Sequence, residues 1–225
     1  MKLGILTPCY SGHVNVHFAI SLTATLRAVQ QSEVLFFTDI GSSLIHMSRN
    51  SLVARAMAAG CDKLFFIDDD VSWTTNGFER VALAPTTICA GVYQKKMHSP
   101  NGRVEMAVSS LPEGLKPNQY GLCEVDGAAT GFLRIDRKVF EDMKPNVQKI
   151  HEDALSDAEN AEFFEYFSFG KLIKDGKTYV HGEDYTFSSR AREAGHKVYI
   201  DPTVKLGHHA GGMRFDAALK QVDLL

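Results

Sequence analysis

The stretch KLFFIDDDVSW, residues 63–73, is the part of the sequence on which the interpretation of the fold depends. An apolar run typical of a buried strand ends in three consecutive carboxylates, Asp68, Asp69 and Asp70. Like charges at the end of a buried strand repel one another and resist the loss of water, so a counter-ion is expected close by. Because alternate side chains of a strand share a face, we expect Asp68 and Asp70 to point the same way and Asp69 elsewhere.

Strand and helix patterns alternate through residues 1–95. Apolar runs predict strands over 2–7, 33–38, 63–68 and 86–93. Periodicity and end signals predict helices over 13–30, 48–60 and 74–84. The second helix has Ser48 as its N-cap and Gly60 just past its end, and the first has apolar spacing at Val16, Ala19, Ile20, Thr23, Leu26 and Val29. Such alternation predicts a mostly parallel central sheet flanked by helices, with ligands outside the carboxyl ends of its strands.

The second half of the chain is less regular. Residues 124–143 are interpreted as a strand, a glycine-containing turn, a strand and a short helix, whereas 145–170 lack clear periodicity and form a loop or a short helix. A helix is predicted over 183–195 and a strand over 196–202. Residues 205–212 are interpreted as a turn that carries two histidines.

Composition sets the broad class of protein. The chain has 225 residues, 44% of them hydrophobic, and a net charge of -3. The length suits one large domain or one domain with an appendage, and the charge gives no strongly basic field for nucleic acid, so at most a local basic patch is expected. Its 4 cysteines are far apart and form no CxxC pair, so we expect buried free thiols in a reducing compartment. Without a recognisable signal peptide or an apolar stretch of about 20 residues, we expect a soluble cytoplasmic protein.

Three groups of residues could carry chemistry. Two carboxylates on one side of a ligand-binding edge, Asp68 and Asp70, suit Mg²⁺ or Mn²⁺, which also accept phosphate and water as ligands. Glu183 and Asp184 begin a helix, where they either cap it and favour its dipole or supply a general base. A neutral imidazole from the pair at 208 and 209 could complete a metal site.

These pieces, in this order, resemble a GT-A-fold glycosyltransferase of the kind grouped with family 2 enzymes, as found in bacteria and viruses. The resemblance covers most of the chain and is carried by TPCYSG (7–12), SRNSLVARAMAAGCDKLFFIDDD (48–70), GAATGFLRIDRKVFEDM (127–143) and GEDYTFSSRAREAGHKVYIDPTVKLGHHAG (182–211). It implies a single GT-A domain over 1–225, with a nucleotide-binding half (1–95) and an acceptor-binding half (96–225). It also implies a nucleotide-sugar donor, a UDP-sugar first among them, a divalent metal (Mn²⁺ or Mg²⁺) and an acceptor hydroxyl.

The resemblance further implies roles for single residues. Asp68 and Asp70 match the DxD motif, with Asp68 near the ribose, and His208 matches a late histidine that contacts the metal or the diphosphate. Asp184, with Glu183 beside it, matches the motif whose carboxylate takes the acceptor proton in inverting enzymes. The further donor-binding positions are Thr7, Pro8, Tyr10, Asp39, Arg49, Asn50, Asp69, Thr130 and Gly131.

Several of these residues could instead have a purely structural role. Tyr10 and Asn50 would also serve in packing or capping, Asp39 is equally an ordinary turn residue, and the spacing from Pro202 favours His208 over His209. Arg49 and Asn50 are expected to open a helix, where the dipole and the guanidinium favour phosphate.

The acceptor is left open between a glycan, a protein and the hydroxyl of a modified DNA base. The basic residues of 93–103, Lys95, Lys96, His98 and Arg103, form either a solvated loop or a patch for an acidic acceptor. The competing functions are a two-metal phosphohydrolase or nuclease that uses both acidic pairs, and a module that binds a nucleotide sugar or glycan without turnover.

Overall fold

The structure, a computed structural model, describes residues 1–29, 33–96, 105–109, 116–150, 161–210 and 213–215. Within those ranges, no helix has the length and apolar character needed to cross a membrane. The helices are α1 (Val16–Ala28), α2 (Ile45–Ala58), α3 (Thr75–Ala82), α4 (Arg137–Met143) and α5 (Glu183–Glu193). The strands are β1 (Lys2–Cys9), β2 (Glu33–Ile40), β3 (Lys63–Ile67), β4 (Val71–Trp73), β5 (Ile88–Gly91), β6 (Val108–Ser109), β7 (Cys123–Val125), β8 (Gly127–Ala128), β9 (Phe132–Asp136), β10 (Gly170–Lys174), β11 (Lys177–His181), β12 (Val198–Asp201), β13 (Leu206–Ala210) and β14 (Met213–Phe215).

A seven-stranded sheet in the order β2-β1-β3-β9-β5-β12-β7 forms the centre of the molecule. Strands β1, β2, β3, β5 and β12 run in one direction, and β9 and β7 run against them. The prediction of a mostly parallel α/β sheet is therefore confirmed. The edge at which the five co-directional strands end is called the carboxyl edge here, and the opposite edge the amino edge. Because β9 is antiparallel, it begins at the carboxyl edge.

The sheet has a hydrophobic core on each face, as the period-2 alternation of strand side chains requires. On one face Leu6, Leu64 and Phe66 pack with residues of α2, α4 and α5. On the other face Ile5, Phe65 and Ile67 pack with residues of α1 and α3. The two layers of helices hold the carboxyl edge in place and leave its loops to form a site.

Strand β9 lies between β3 and β5, so the two halves of the chain share one sheet. The fully buried Arg134 of β9 fastens this insertion. Its guanidinium donates hydrogen bonds to the carbonyl oxygens of Val81 (3.2 Å), Ala84 (2.8 Å) and Thr86 (2.5 Å). It also lies 2.7 Å from the Asp136 carboxylate. The connection from α3 to β5 is therefore organised around a single buried cation.

Assigning nucleotide binding to residues 1–95 and acceptor binding to residues 96–225 stays a prediction.

Helix α1 is confirmed, but the residues that it buries are not those with apolar spacing. Val16, Ile20 and Leu26 are exposed, whereas the buried residues are Phe18, Ser21 and Thr25. Trp73 explains the difference, because its backbone N–H donates to Ser21 Oγ (3.1 Å) and its indole N–H to Thr25 Oγ1 (2.9 Å). Because both hydroxyls have a hydrogen-bond partner in Trp73, α1 can bury Ser21 and Thr25 and leave its most hydrophobic face exposed.

Two other expectations were wrong in detail. Helix α2 begins at Ile45 after the N-cap residue Leu44, so Ser48 is a buried helical residue rather than the cap, and Arg49 lies inside the helix instead of opening it. The histidine pair lies in strand β13, which pairs with β4 and β14, and not in a turn. The backbone pairing that defines β13 is with β4, more than 130 residues earlier in the sequence, and local turn signals do not reveal it.

Several expectations in the second half were confirmed. Residues 124–143 form β7, β8, β9 and α4, and helix α5 is followed by Gly195 with a positive φ of 90°. All four cysteines are buried and free. Of the segment 145–170, residues 151–160 lie outside the described residues, as do His98 and Arg103. The hairpin of β10 and β11 was not anticipated.

Replacing Arg134 tests the buried fastening of β9. We expect Arg134→Met to lower the free energy of unfolding by about 3 kcal/mol, because it removes a buried side-chain donor from three carbonyls and the nearest cation from Asp136. For a chain of this size the unfolding midpoint should fall by about 6–12 °C in calorimetry. The matched control is Arg27→Met on the exposed face of α1, which should change the midpoint little. Equal melting of both variants would contradict a structural role for Arg134.

Candidate active site

The acidic run follows β3 at the carboxyl edge, in close contact with the start of β9. The backbone N–H of Asp68 donates to the carbonyl oxygen of Gly131 at 3.1 Å. The N–H of Gly131 donates to the hydroxyl oxygen of Tyr93, also at 3.1 Å. A Cβ on residue 131 would overlap the Tyr93 hydroxyl and lie 2.7 Å from Oδ2 of Asp68. Only glycine therefore lets β9 approach the carboxylates this closely.

Arg49 gathers three carboxylates from distant parts of the chain. Its guanidinium nitrogens lie 3.4 Å from Asp68 Oδ1, 3.5 Å from Glu183 Oε1 and 3.7 Å from Asp184 Oδ1. The Arg49 side chain is 4% exposed, which makes this a desolvated ion cluster rather than a surface pair. The guanidinium is thus committed to carboxylates and is not free to receive phosphate, unlike the expectation from its position in the sequence.

The pKa values in this cluster reflect burial opposed by neighbouring charge. Burial tends to lower the pKa of Arg49, but the carboxylates of Asp68, Asp184 and Glu183 outweigh it and raise the pKa further above its usual range. Burial raises the pKa of Asp68, and the guanidinium offsets this only in part. Burial, helped by the charge of Asp184, raises the pKa of Glu183 to about 7. One carboxyl of the cluster therefore exchanges a proton near neutral pH.

Asp184, at the start of α5, is held by the hydroxyl group of Thr130 in the loop before β9. Its Oδ1 accepts a hydrogen bond of 2.5 Å from the Thr130 hydroxyl, and Thr130 is fully buried. The N-cap of α5 is Gly182, and Asp184 lies in the first turn of the helix rather than at the cap position. The alternative that Asp184 serves only as a helix cap is therefore not what the structure contains.

Asp70 lies in a second group, beside His208 and Lys96. Its Oδ2 is paired with the Lys96 ammonium, and its Oδ1 lies 3.5 Å from Nε2 of His208. His208 Nδ1 lies 2.8 Å from the carbonyl oxygen of Gln94, so this nitrogen carries the proton and donates. Burial tends to raise the pKa of Asp70, but the hydrogen bonds from His208 and Lys96 outweigh it and lower that pKa.

This second group has features of an incomplete metal site. Nε2 of His208 lies 3.5 Å from the buried Oδ1 of Asp70, so the two atoms are close enough to contact one cation. A histidine whose other nitrogen donates to a backbone carbonyl is the usual arrangement of a metal ligand. The described residues contain no cluster of three or more His, Cys, Asp or Glu side chains suited to a metal. Two protein ligands suffice for Mg²⁺ or Mn²⁺ when phosphate and water fill the other positions.

Strand pairing distinguishes the two histidines. In β13, His208 is in register with Val71 of β4, and its side chain lies on the face of Asp70. His209 points to the other face, where Nε2 lies 2.8 Å from Ser72 Oγ and the ring stacks on His17 at 4.6 Å between centroids. The geometry brings His208 rather than His209 to the acidic run.

The remaining sequence-predicted residues lie around the carboxyl edge. Thr7 and Pro8 are buried near the end of β1, Tyr10 follows them and is 68% exposed, and Asp39 pairs in register with Pro8 from β2. Asp69 turns toward Cys9 at the end of β1, and burial followed by the charge of Asp70 raises the pKa of Asp69.

Asn50 turns away from this edge. Its side-chain amide donates to the carbonyl oxygen of Phe167 and accepts from the N–H of the same residue, both at 2.9 Å. The alternative that Asn50 packs and orders a neighbouring segment thus describes its contacts better than a role in binding.

Tyr93 is a site residue that the sequence analysis missed. It is 5% exposed, its hydroxyl accepts from Gly131, and its ring lies edge-on to His208 at 4.8 Å between centroids. Burial, followed by the charge of Asp68, raises the pKa of the phenol well above its ordinary value, so it stays neutral. Its place at the carboxyl end of a predicted strand was the signal that could have identified it.

The raised pKa of Glu183 predicts a pH-dependent stability. The native carboxyl holds a proton that the unfolded chain, with a pKa of 4.5, has released, so the free energy of unfolding falls as pH rises from 4.5 to about 7. We expect Glu183→Gln to remove about 2–3 kcal/mol of this fall. Urea unfolding across that pH window checks it. The exposed Glu79 provides a control, since Glu79→Gln should follow the wild-type pH profile. Parallel profiles for wild type and Glu183→Gln would show that Glu183 is ionised throughout.

Known proteins resemble this chain in fold, but none matches it in the comparisons of sequence. No family model and no curated protein matches this chain. The crystal structure of A197 from STIV is similar at a TM-score of 0.53 and 15% identity, covering 98% of this chain and 99% of that one. The catalytic domain of Drosophila β1,4-galactosyltransferase 7, in complex with xylobiose, is similar at a TM-score of 0.50 and 14% identity, covering 98% and 71%. The chain therefore has an α/β fold of the GT-A type, as its sequence predicted.

Proposed function

We propose that this protein is a metal-dependent glycosyltransferase that moves a sugar from a nucleotide-sugar donor to an acceptor hydroxyl, with inversion. One observation carries the proposal. At the carboxyl edge of a GT-A-type sheet, Oδ1 of Asp70 and Nε2 of His208 lie 3.5 Å apart in the second group, and the acidic pair Glu183 and Asp184 begins α5 nearby. A cation-binding pair beside a carboxylate base is what transfer from a diphosphate leaving group requires.

The donor is proposed to lie along the ends of β1, β2 and β3. Thr7, Pro8, Tyr10 and Asp39 would hold the nucleoside, with a UDP-sugar as the first candidate. Asp68 and Asp69 would lie toward the ribose and the diphosphate. Thr130 and Gly131, at the start of β9, would face the sugar. The Thr7 hydroxyl is buried without a hydrogen-bond partner in the described residues, which supports a polar ligand at this edge.

Asp70 and His208 would hold the divalent metal, Mn²⁺ or Mg²⁺, with Asp68 close by. The bound metal would act as a Lewis acid that neutralises the departing nucleoside diphosphate. The chain's own contribution is orientation, since the Gln94 carbonyl fixes the His208 ring through Nδ1. Tyr93 supports the same ring from its edge.

Asp184 is proposed as the general base. As the acceptor oxygen bonds to the anomeric carbon and the bond to the diphosphate breaks, the acceptor proton would pass to the Asp184 carboxylate. Thr130 holds this carboxylate through its hydroxyl, and a guanidinium nitrogen of Arg49 lies 3.7 Å from it. Glu183, whose pKa is about 7, would share the proton within the cluster.

The competing functions have less support from the contacts. A two-metal phosphohydrolase needs Glu183 and Asp184 for its second metal, but Arg49 already occupies the position of a cation between them. A non-catalytic binding module has no need for the buried Thr130–Asp184 bond. The complex of the β1,4-galactosyltransferase 7 domain with xylobiose supports a glycan acceptor ahead of a protein or a DNA base.

Donor binding tests the proposal through thermal unfolding with UDP, GDP, CMP and TDP, each with and without Mn²⁺. A ligand at ~100 times its Kd adds about 2.7 kcal/mol, which should raise the midpoint by roughly 5–10 °C. We expect a metal-dependent shift with UDP that Asp70→Asn abolishes. The control Asp175→Asn, in the exposed turn of the β10–β11 hairpin, should retain the full shift.

The nucleotide panel also separates the competing functions. A shift with Mn²⁺ alone and none with any nucleotide would contradict donor binding and favour the phosphohydrolase. If UDP binds, incubation with UDP-sugars should release UDP when Asp184 is intact. Binding without release by any UDP-sugar and acceptor tested would favour the binding module instead.

Lys96 is expected to compete with the metal for Asp70. Because its ammonium pairs with Oδ2, a metal must displace it, so Lys96→Met should bind Mn²⁺ about two- to fivefold more tightly. Electron paramagnetic resonance of free Mn²⁺ measures the affinity. The neighbouring Lys95 pairs with Glu105 instead, and Lys95→Met should leave the affinity unchanged. Weaker binding by Lys96→Met would mean that the ammonium assists the metal rather than competes with it.

A further inference from the structure

A cavity lies at the amino edge of the sheet, across from the candidate active site. Its volume is about 420 Å³, and it is lined where β5 and β12 begin and where α5 ends. Its side chains are Thr87, Asn118, Tyr120, Lys138, His196 and Tyr199, joined by Lys197. Strands of four or five residues, at ~3.3 Å per residue, separate this amino-edge cavity from the acidic run by roughly 15 Å.

A chain of hydrogen bonds orders the floor of the amino-edge cavity. His196 Nε2 lies 3.1 Å from Asp142 Oδ2, and a carboxylate only accepts, so Nε2 donates. In the neutral ring Nδ1 then accepts from the Thr87 hydroxyl, which lies 3.1 Å away. The direction of the Thr87 O–H bond is thereby set, and its oxygen remains an acceptor for a hydroxyl of a ligand.

The lysines around the amino-edge cavity already have anionic partners. Lys138 Nζ lies 2.7 Å from Asp142, and Lys197 Nζ lies 2.8 Å from Glu124. The hydrogen bond from Lys138, followed by that from His196, lowers the pKa of Asp142, so this partner stays ionised at neutral pH. Because both ammonium groups are compensated, a neutral ligand fits the cavity better than an anion.

Two tyrosines supply the apolar part of the lining. Tyr120 is 54% exposed in the turn before β7, and the half-buried Tyr199 lies on β12. Asn118 holds this turn, since its Oδ1 accepts from the N–H groups of Tyr120 and Leu122, which leaves its Nδ2 as a donor for a ligand. Aromatic rings beside neutral donors and acceptors suit a molecule with an apolar face and hydroxyls around its rim.

We propose that the amino-edge cavity binds a neutral saccharide. Tyr120 stacks on one sugar ring, and Thr87, Asn118 and His196 orient its hydroxyls. The cavity holds a part of a glycan that is distant from the reacting hydroxyl, and this role, unlike the binding itself, rests on the proposed function. It therefore adds a glycan-anchoring site to a protein whose transfer chemistry would occur at the carboxyl edge.

Saturation-transfer NMR with xylohexaose, cellohexaose and chitohexaose, in the absence of nucleotide, tests this binding. We expect at least one oligosaccharide to bind, and Tyr120→Ala to weaken its binding about tenfold or more through loss of ring stacking. Tyr120 is exposed, so this variant should fold. Tyr179→Ala, an exposed tyrosine on the β10–β11 hairpin, should bind like the wild type.

Other outcomes overturn the proposal. The proposal fails if none of the three oligosaccharides binds, or if Tyr120→Ala and Tyr179→Ala lose binding equally. It also fails if inorganic phosphate binds the cavity in place of a saccharide. Asp70→Asn separates this proposal from the proposed function. That variant should retain saccharide binding even where nucleotide binding is lost, and a loss of both would place the saccharide at the carboxyl edge instead.

Discussion

The buried guanidinium of Arg49 is the interaction on which the candidate active site depends. It joins helix α2, the end of β3 and the start of α5 through three carboxylates. None of these charges could stay desolvated alone, since breaking a buried pair typically costs 3–5 kcal/mol. The acidic residues are therefore held close together by a cation that belongs to the chain itself, and their arrangement does not depend on a bound ligand.

The candidate site contains two protein cations with different surroundings, Arg49 among its three carboxylates and Lys96 beside Asp70. Around Arg49 one buried guanidinium faces three carboxylates that are largely withdrawn from water, which suits residues that must keep one geometry. Around Asp70 the partners are a lysine with a 35% exposed side chain and a histidine whose Nε2 lies 3.5 Å from a carboxylate oxygen. Exposed ion pairs contribute little to stability, so the Asp70 partners are the ones that a ligand can exchange. The two acidic residues of the DxD spacing thus have different surroundings although they are two positions apart.

How far local signals reach can be seen in three elements. The helix α5 and its end at Gly195 followed from capping and glycine signals, which act over a few residues. The orientation of α1 did not follow from its apolar spacing, because hydrogen bonds from Trp73, about 50 residues away, bury Ser21 and Thr25. Strand β13 was taken for a turn because its pairing with β4 crosses more than 130 residues of sequence.

The sequence by itself determined the α/β class, the mostly parallel sheet and the position of the acidic run at its carboxyl edge. Apolar runs, glycines and the acidic residues that end a strand are local signals. They predict the helices and strands and the edge of the sheet where ligands lie. Only the tertiary structure decided that Arg49 is shared among Asp68, Glu183 and Asp184, that Asn50 turns to Phe167, and that His208 rather than His209 faces Asp70. Apart from the Arg49–Asp68 pair, those contacts join residues more than 100 positions apart and depend on burial and strand register. A desolvated charge selects its partner by distance in space rather than by spacing along the chain.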